Sequence, residues 1–261
     1  MKKFTVIIFF LSVISSYAQG TAGTNAKYEY RSLIDMPTAG ILEKGHVGVG
    51  MDVLPNGVVI SKIEVGVFEN FSFGISYGGD NIIGSGNVEW YNYPGVNLRI
   101  RLMNETETVP ALTLGFDTQG KGSYFKDLKR FEIKSPGIFA AASKNFDFLG
   151  YLSVHGVINY SLEREDGDKD LNIIVGLEKT IGGSLAFVAE YDFANNDNTA
   201  NSLGEGTGYF NMGLRWSVGD GFTIGLDFRN LADNKKLKDE INDVFKSGDR
   251  AIFVEYIHAI F

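Results

Sequence analysis

From Gly45 to Phe261 the chain repeats one pattern twelve times: a run in which every second side chain is apolar and the side chains between are glycine, small or charged. A period of two is the signature of a β-strand whose two faces meet different surroundings. The runs are 45–54, 58–68, 71–78, 95–103, 109–117, 136–146, 150–162, 171–179, 184–193, 209–217, 222–230 and 250–261. In the third, Phe71, Phe73, Ile75 and Tyr77 alternate with Ser72, Gly74 and Ser76; in the eleventh, Phe222, Ile224, Leu226 and Phe228 alternate with Thr223, Gly225, Asp227 and Arg229. The small-rich run 136–146 leaves its faces open. The last run sets Glu255 and His258 at opposite parity, and Glu255 is assigned inward.

Alternation alone does not say which face is wet. A soluble β-sandwich or lipocalin-like barrel also alternates, with the apolar side inside. Three features favour the inverse arrangement. The polar parity is rich in glycine and serine, where a soluble outer face is usually dominated by Lys, Glu and Thr. The runs are roughly 9–11 residues long, enough for a tilted strand to cross a bilayer. The connections sort by length: 69–70, 104–108, 145–148, 181–183 and 218–221 are short, while 79–94, 118–135, 163–170, 194–208 and 231–249 are long, and on that second side only Pro55-Asn56-Gly57 is tight. Short turns on one rim and long loops on the other belong to outer-membrane β-barrels. So does a last strand, RAIFVEYIHAIF, that ends on Phe261, because it must pair with the first to leave no open edge. The expected fold is therefore all-β: a transmembrane antiparallel β-barrel of about 12 strands. Aromatic residues near strand ends, among them Tyr77, Trp90, Tyr91, Tyr160, Tyr209 and Trp216, fit interfacial girdles.

The chain opens with Lys2 and Lys3, an apolar stretch Phe4–Ile14 and the small-residue site around Ala18. Residues 1–18 read as a secretory signal peptide cleaved near Ala18, which implies export and, with the barrel, the outer membrane of a diderm bacterium. Residues 19–44 are expected as a periplasmic lead-in and 45–261 as the barrel. There is no cysteine, so no disulfide framework holds the exported chain. The 32 glycines argue against a helical protein. A net charge of −8 disfavours nucleic acid as a partner. One short amphipathic helix is expected in the last long loop, over 233–247, with Asp233 as cap and Leu237, Ile241, Val244 and Phe245 on one face. It could lie across the mouth, plug the lumen or decorate the outer surface.

The inward parity gathers charge of both signs: Asp52, Glu64, Asp117, Glu178, Glu190, Asp192 and Asp227 against Lys62, Arg99, Arg101, Arg215 and Arg229. These are the candidate lumen-lining residues. They either pair across strands in a filled interior or line a selective aqueous path. A barrel of this size lies between filled eight-stranded and open sixteen-stranded examples, and a narrow or occluded lumen is expected. Ser153 and His155 share a strand face and would be the starting point of a hydrolase, but no third orienting group and no G-x-S-x-G turn accompany them. The acidic loop 163–170 lacks the register of a calcium-binding EF-hand. No catalytic residue, metal site or cofactor is expected.

Three stretches resemble the YjbH-like family of outer-membrane proteins, found with exopolysaccharide gene clusters. They are SLIDMPTAGILEKG (32–45), PALTLGFDTQGKGSY (110–124) with Gly115, Asp117, Gly120 and Gly122, and SKNF (143–146). Members of that family are considerably longer. The resemblance implies a non-enzymatic part in export or assembly of a surface exopolysaccharide. Its expected partners are outer-membrane lipid, the barrel-assembly machinery and polysaccharide or export proteins. The alternative is a narrow passive diffusion channel for small solutes. A membrane hydrolase and a soluble periplasmic binder of apolar ligands rank behind these.

Overall fold

The computed structural model describes residues 28–219, 221–236 and 248–260. Fifteen strands follow one another: β1 (His46–Val53), β2 (Val59–Phe68), β3 (Phe71–Asp80), β4 (Glu89–Trp90), β5 (Gly95–Met103), β6 (Ala111–Asp117), β7 (Lys121–Phe125), β8 (Arg130–Ile133), β9 (Gly137–Asp147), β10 (Tyr151–Tyr160), β11 (Asn172–Thr180), β12 (Leu185–Asp192), β13 (Tyr209–Gly219), β14 (Phe222–Arg229) and β15 (Asp249–Ala259). All except β4, β7 and β8 pair antiparallel with their chain neighbours in one sheet. β1 takes β2 on one side and β15 on the other, which closes that sheet as a twelve-stranded barrel. Every alternating run of the sequence is one of the twelve wall strands, with ends within about two residues, the usual scatter of strand boundaries.

The apolar parity faces out. Ile75, Leu114, Ile158 and Leu226 are exposed, while Asp52, Arg99, Arg215 and Asp227 on the opposite parity are buried. A soluble barrel has the reverse arrangement. Here each strand satisfies its backbone groups in the closed ladder and presents hydrocarbon outwards, as lipid requires. The register also resolves the two ambiguous strands. On β9, Ile138 faces out and Phe139 and Ala141 are buried inside. On β15, Tyr256 faces out, and inward-facing Glu255 accepts from Arg31.

Three features of the long loops were not expected. β4 pairs antiparallel with the end of β3, and β7 and β8 form a separate hairpin folded against the mouth. Two of the supposed interfacial aromatics pack inside that cap. Tyr91 stands edge-on to Phe131 at 4.9 Å and donates to Gly122 O at 2.7 Å; Tyr209 donates to Asp197 Oδ2 at 2.9 Å. Tyr77 and Trp90 are exposed and stack at 5.7 Å. The expected helix does not follow its cap Asp233 directly: Asn234 to Lys236 are not helical, and Lys235 instead bridges to Gly204. The remainder of that helix, 237–247, lies outside the described residues, as do the signal peptide and Phe261.

Candidate functional site: the occluded lumen

Residues 28–44, expected as a periplasmic lead-in, run inside the barrel. The segment starts where Tyr28 stands edge-on to His46 at the foot of β1, and it returns there to enter that strand. Between, it rises as a tight hairpin. Thr38 N donates to Arg31 O and Leu33 N to Met36 O, both at 3.0 Å. A hairpin this small cannot satisfy its own main chain, and buried N–H and C=O groups need partners. The wall supplies them.

Glu190 on β12 receives three backbone N–H groups at the tip: Ile34 and Met36 at 3.0 Å on Oε2, and Asp35 at 2.8 Å on Oε1. Asn211 on β13 donates to Oε1 at 2.8 Å and fills the last lone pair. The segment's carbonyls are met by cations and a hydroxyl. Arg215 donates to Leu33 O, Arg99 to Thr38 O at 3.2 Å and Gly40 O at 3.3 Å, and Arg101 to Ala39 O at 3.1 Å; Thr113 adds a bond to Ala39 O at 2.6 Å. Ser143 on β9 accepts from Ala39 N at 3.0 Å. Side-chain pairs complete the seat: Arg229 with Asp35, Arg31 with Glu64 and Glu255, and Arg101 with Glu29. Charged hydrogen bonds of this kind are the strong ones, and in a confined lumen a lost partner is costly.

The seat also has an apolar half. Leu33, Ile34 and Met36 pack with Phe139, Val157, Ile174 and Val188, which project inward from β9 to β12. Gly176 on β11 makes the room: a Cβ there would stand 2.5 Å from Leu33 Cδ1 and 2.9 Å from Met36 Sδ.

Each charged residue of the inward parity has a definite position. Glu190, Arg99, Arg101, Arg215, Arg229 and Glu64 hold the segment. Asp227 pairs with Arg215, with Gly225 leaving space for the guanidinium, and Asp52 on β1 pairs with Lys62 on β2 and Lys121 on β7. Asp117 accepts from Asn97 at 2.8 Å, and Asp192 accepts from Asn172 at 2.7 Å. Glu178 lines a small cavity beside Ser143, Ser153 and His155. In that cavity Ser153 bonds Asn145, and His155 Nδ1 meets Ser143 Oγ at 2.7 Å, so Ser153 and His155 do not form the pair a hydrolase would use.

The long loops roof the other end. Arg130, fully buried, donates to Asp166 at 2.7 Å and to Asp197 at 2.5 Å; Lys134 reaches Asp166 at 2.8 Å and Asn196 O at 2.7 Å. Three loops are thereby tied at one point. Asp168 accepts from Asn198 N at 3.0 Å and Ser202 Oγ at 3.2 Å. The acidic loop is thus an anchor, and among the described residues no cluster of His, Cys, Asp and Glu is placed to hold a metal ion. Glu163 accepts Phe131 N at 3.0 Å and Ser135 N at 3.2 Å; burial raises its carboxyl above the ordinary range, while these contacts pull the other way. Between roof and hairpin lies a chamber of about 120 Å³, lined by Asp117, Asp192, Asn97, Asn172, Lys62 and Lys121 among others and floored by Asp35, Met36 and Pro37.

A closed twelve-stranded antiparallel barrel with an apolar outer belt and a charged interior defines an outer-membrane β-barrel. No protein-family model matches the chain, and no curated protein sequence does. Solved structures do. The KdgM porin superposes with a TM-score of 0.50 at 11% identity, covering 81% of this chain and 98% of the porin. The KdgM porin in complex with disordered oligogalacturonate gives 0.50 at 10% identity, with coverage of 81% and 98%. Omp33 of Acinetobacter baumannii gives 0.43 at 9%, with 81% and 96%. At such identities the likeness is one of fold.

Proposed function

We propose that this protein is a non-enzymatic, porin-like conduit of the outer membrane for small polar solutes, held closed by its own residues 28–44. The observation that carries the reading is the seat of the segment. Five wall strands direct side chains at its main chain, and the lumen charges Glu190, Arg99, Arg101 and Arg215 are engaged by it. These are hydrogen bonds and ion pairs, which water can replace, so the closure is reversible in principle. The chain has no cysteine, which makes a single engineered disulfide a clean test. With Ala39→Cys and Ser143→Cys the segment is tied to β9. In a Glu190→Ala background, which loosens the seat, efflux of a small sugar from proteoliposomes should be blocked when the pair is oxidised and restored on reduction. Equal efflux in the two states would contradict the reading.

A second reading has its own support. The three stretches that resemble the YjbH-like family meet in one place: 32–45 is the internal segment, 110–124 carries Thr113 beside it and Asp117 and Lys121 around the chamber, and Ser143 holds Ala39. On this reading the conduit assists export or assembly of a surface exopolysaccharide. An unchanged amount of surface polysaccharide in a strain lacking the chain would count against it.

A further inference from the structure

The chamber between hairpin and roof has a charge pattern of its own. Five basic residues line it. Arg31 is paired with Glu64 and Glu255, Lys62 and Lys121 with Asp52, and Lys134 with Asp166. Arg99 is turned to the segment's carbonyls and lies over the Phe139 ring at 5.4 Å.

The acidic side is not matched in this way. Among the described residues neither Asp117 nor Asp192 makes an ion pair; each is held by an amide side chain and a backbone N–H. Asp117 receives Asn97 Nδ2 on one oxygen and Gln119 N on the other, both at 2.8 Å. Asp192 receives Asn172 Nδ2 and Ala194 N on Oδ1, both at 2.7 Å. Both side chains are only partly buried, so their remaining lone pairs face the chamber.

Carboxylates oriented by amides, in a lining that holds seven carboxyl groups against five bases, present acceptors to whatever enters. They repel anions and attract ligands rich in N–H donors. β6 and β12, which carry them, are separated by β9, β10 and β11 in the closed sheet, so an occupant that meets both is elongated.

We infer that the chamber selects small, elongated organic cations, such as a di- or polyamine, and that Asp117 and Asp192 are the residues that set the preference. This rests on the conduit reading and gives it a solute class. It also sets the chain apart from a lumen suited to an acidic saccharide.

The test is calorimetric titration of the full chain in a zwitterionic detergent with spermidine, maltotriose and a galacturonate trimer as probes. Saturable spermidine binding is expected, weakened tenfold or more by Asp117→Asn and by Asp192→Asn. It should be retained by Asp117→Glu and Asp192→Glu, whose folding is checked by heat-dependent gel mobility. Spermidine heats equal to the detergent blank, equal affinity in the Asn variants, or preference for the galacturonate trimer would overturn the proposal. Failure of conduction is separable, because binding is read without any current: spermidine bound by the full chain, with silence from a barrel lacking residues 28–44, would leave the chamber standing and the conduit disproved.

Discussion

Replacing Glu190 by alanine frees the tip of the internal hairpin. The substitution removes the acceptor of three backbone N–H groups and of Asn211 at once. A buried donor left without a partner costs about 1–3 kcal/mol. Water reaching part of the site offsets some of that, and a loss of about 3–6 kcal/mol in the seating of the segment is expected. At 1.4 kcal/mol per tenfold, the unseated population rises by about 100-fold or more. The wall is untouched, so the barrel should keep its heat-dependent gel mobility. The measurement is protease cleavage within residues 28–44 of the reconstituted protein, with the protease on the side of the short turns. Glu190→Gln should fall between, since its amide offers one acceptor oxygen and turns an NH₂ towards the N–H groups. Cleavage of the alanine variant at the native rate would mean that the tip is held by its apolar contacts instead.

The second large effect is at the roof. Arg130 is fully buried between Asp166 and Asp197. Arg130→Ala leaves two buried carboxylates, with Lys134 on Asp166 and no cation on Asp197 among the described residues. Breaking a buried pair by removing one partner costs about 3–5 kcal/mol. The cost falls on local opening of the loops, because the twelve-stranded ladder does not depend on this contact. Trypsin added from the loop side should cut at Lys126, Lys129, Arg164 or Lys169 roughly 100-fold faster or more. Rates within about threefold of the native protein would show that the roof is held by its other contacts, such as Glu163 with Phe131 and Tyr91 with Gly122.

Most of the wall was legible in the sequence, because a barrel in lipid writes itself as a period of two. Val47, Val49, Met51 and Val53 face one solvent and Gly48, Gly50 and Asp52 another, and no tertiary knowledge is needed to separate them. The loop lengths oriented it. What could not be read was the use of the interior. Residues 28–44 have no regular period, since a hairpin held by side chains of the wall takes its conformation from them. A signal was nevertheless present. Phe139, Val157, Ile174 and Val188 break the small-or-charged rule of the inward parity on four adjacent strands, and that apolar patch is what seats Leu33 and Met36. The same holds for Tyr91 and Tyr209. Proximity to a strand end suits a girdle, but their hydroxyls are spent on Gly122 and Asp197 inside the roof, contacts between segments far apart in the chain. The charged residues were recognised as a set. Their division into those that grip the segment, those that pair within the wall and those left facing the chamber depends on distances that spacing does not contain.

The central claim is that residues 28–44 close the barrel, and single-channel recording in a planar bilayer tests it most directly. The full chain should be silent or show rare brief openings. The same chain with residues 28–44 removed should give steady ohmic steps. Equal conductance in the two proteins, or silence in both, would contradict the account.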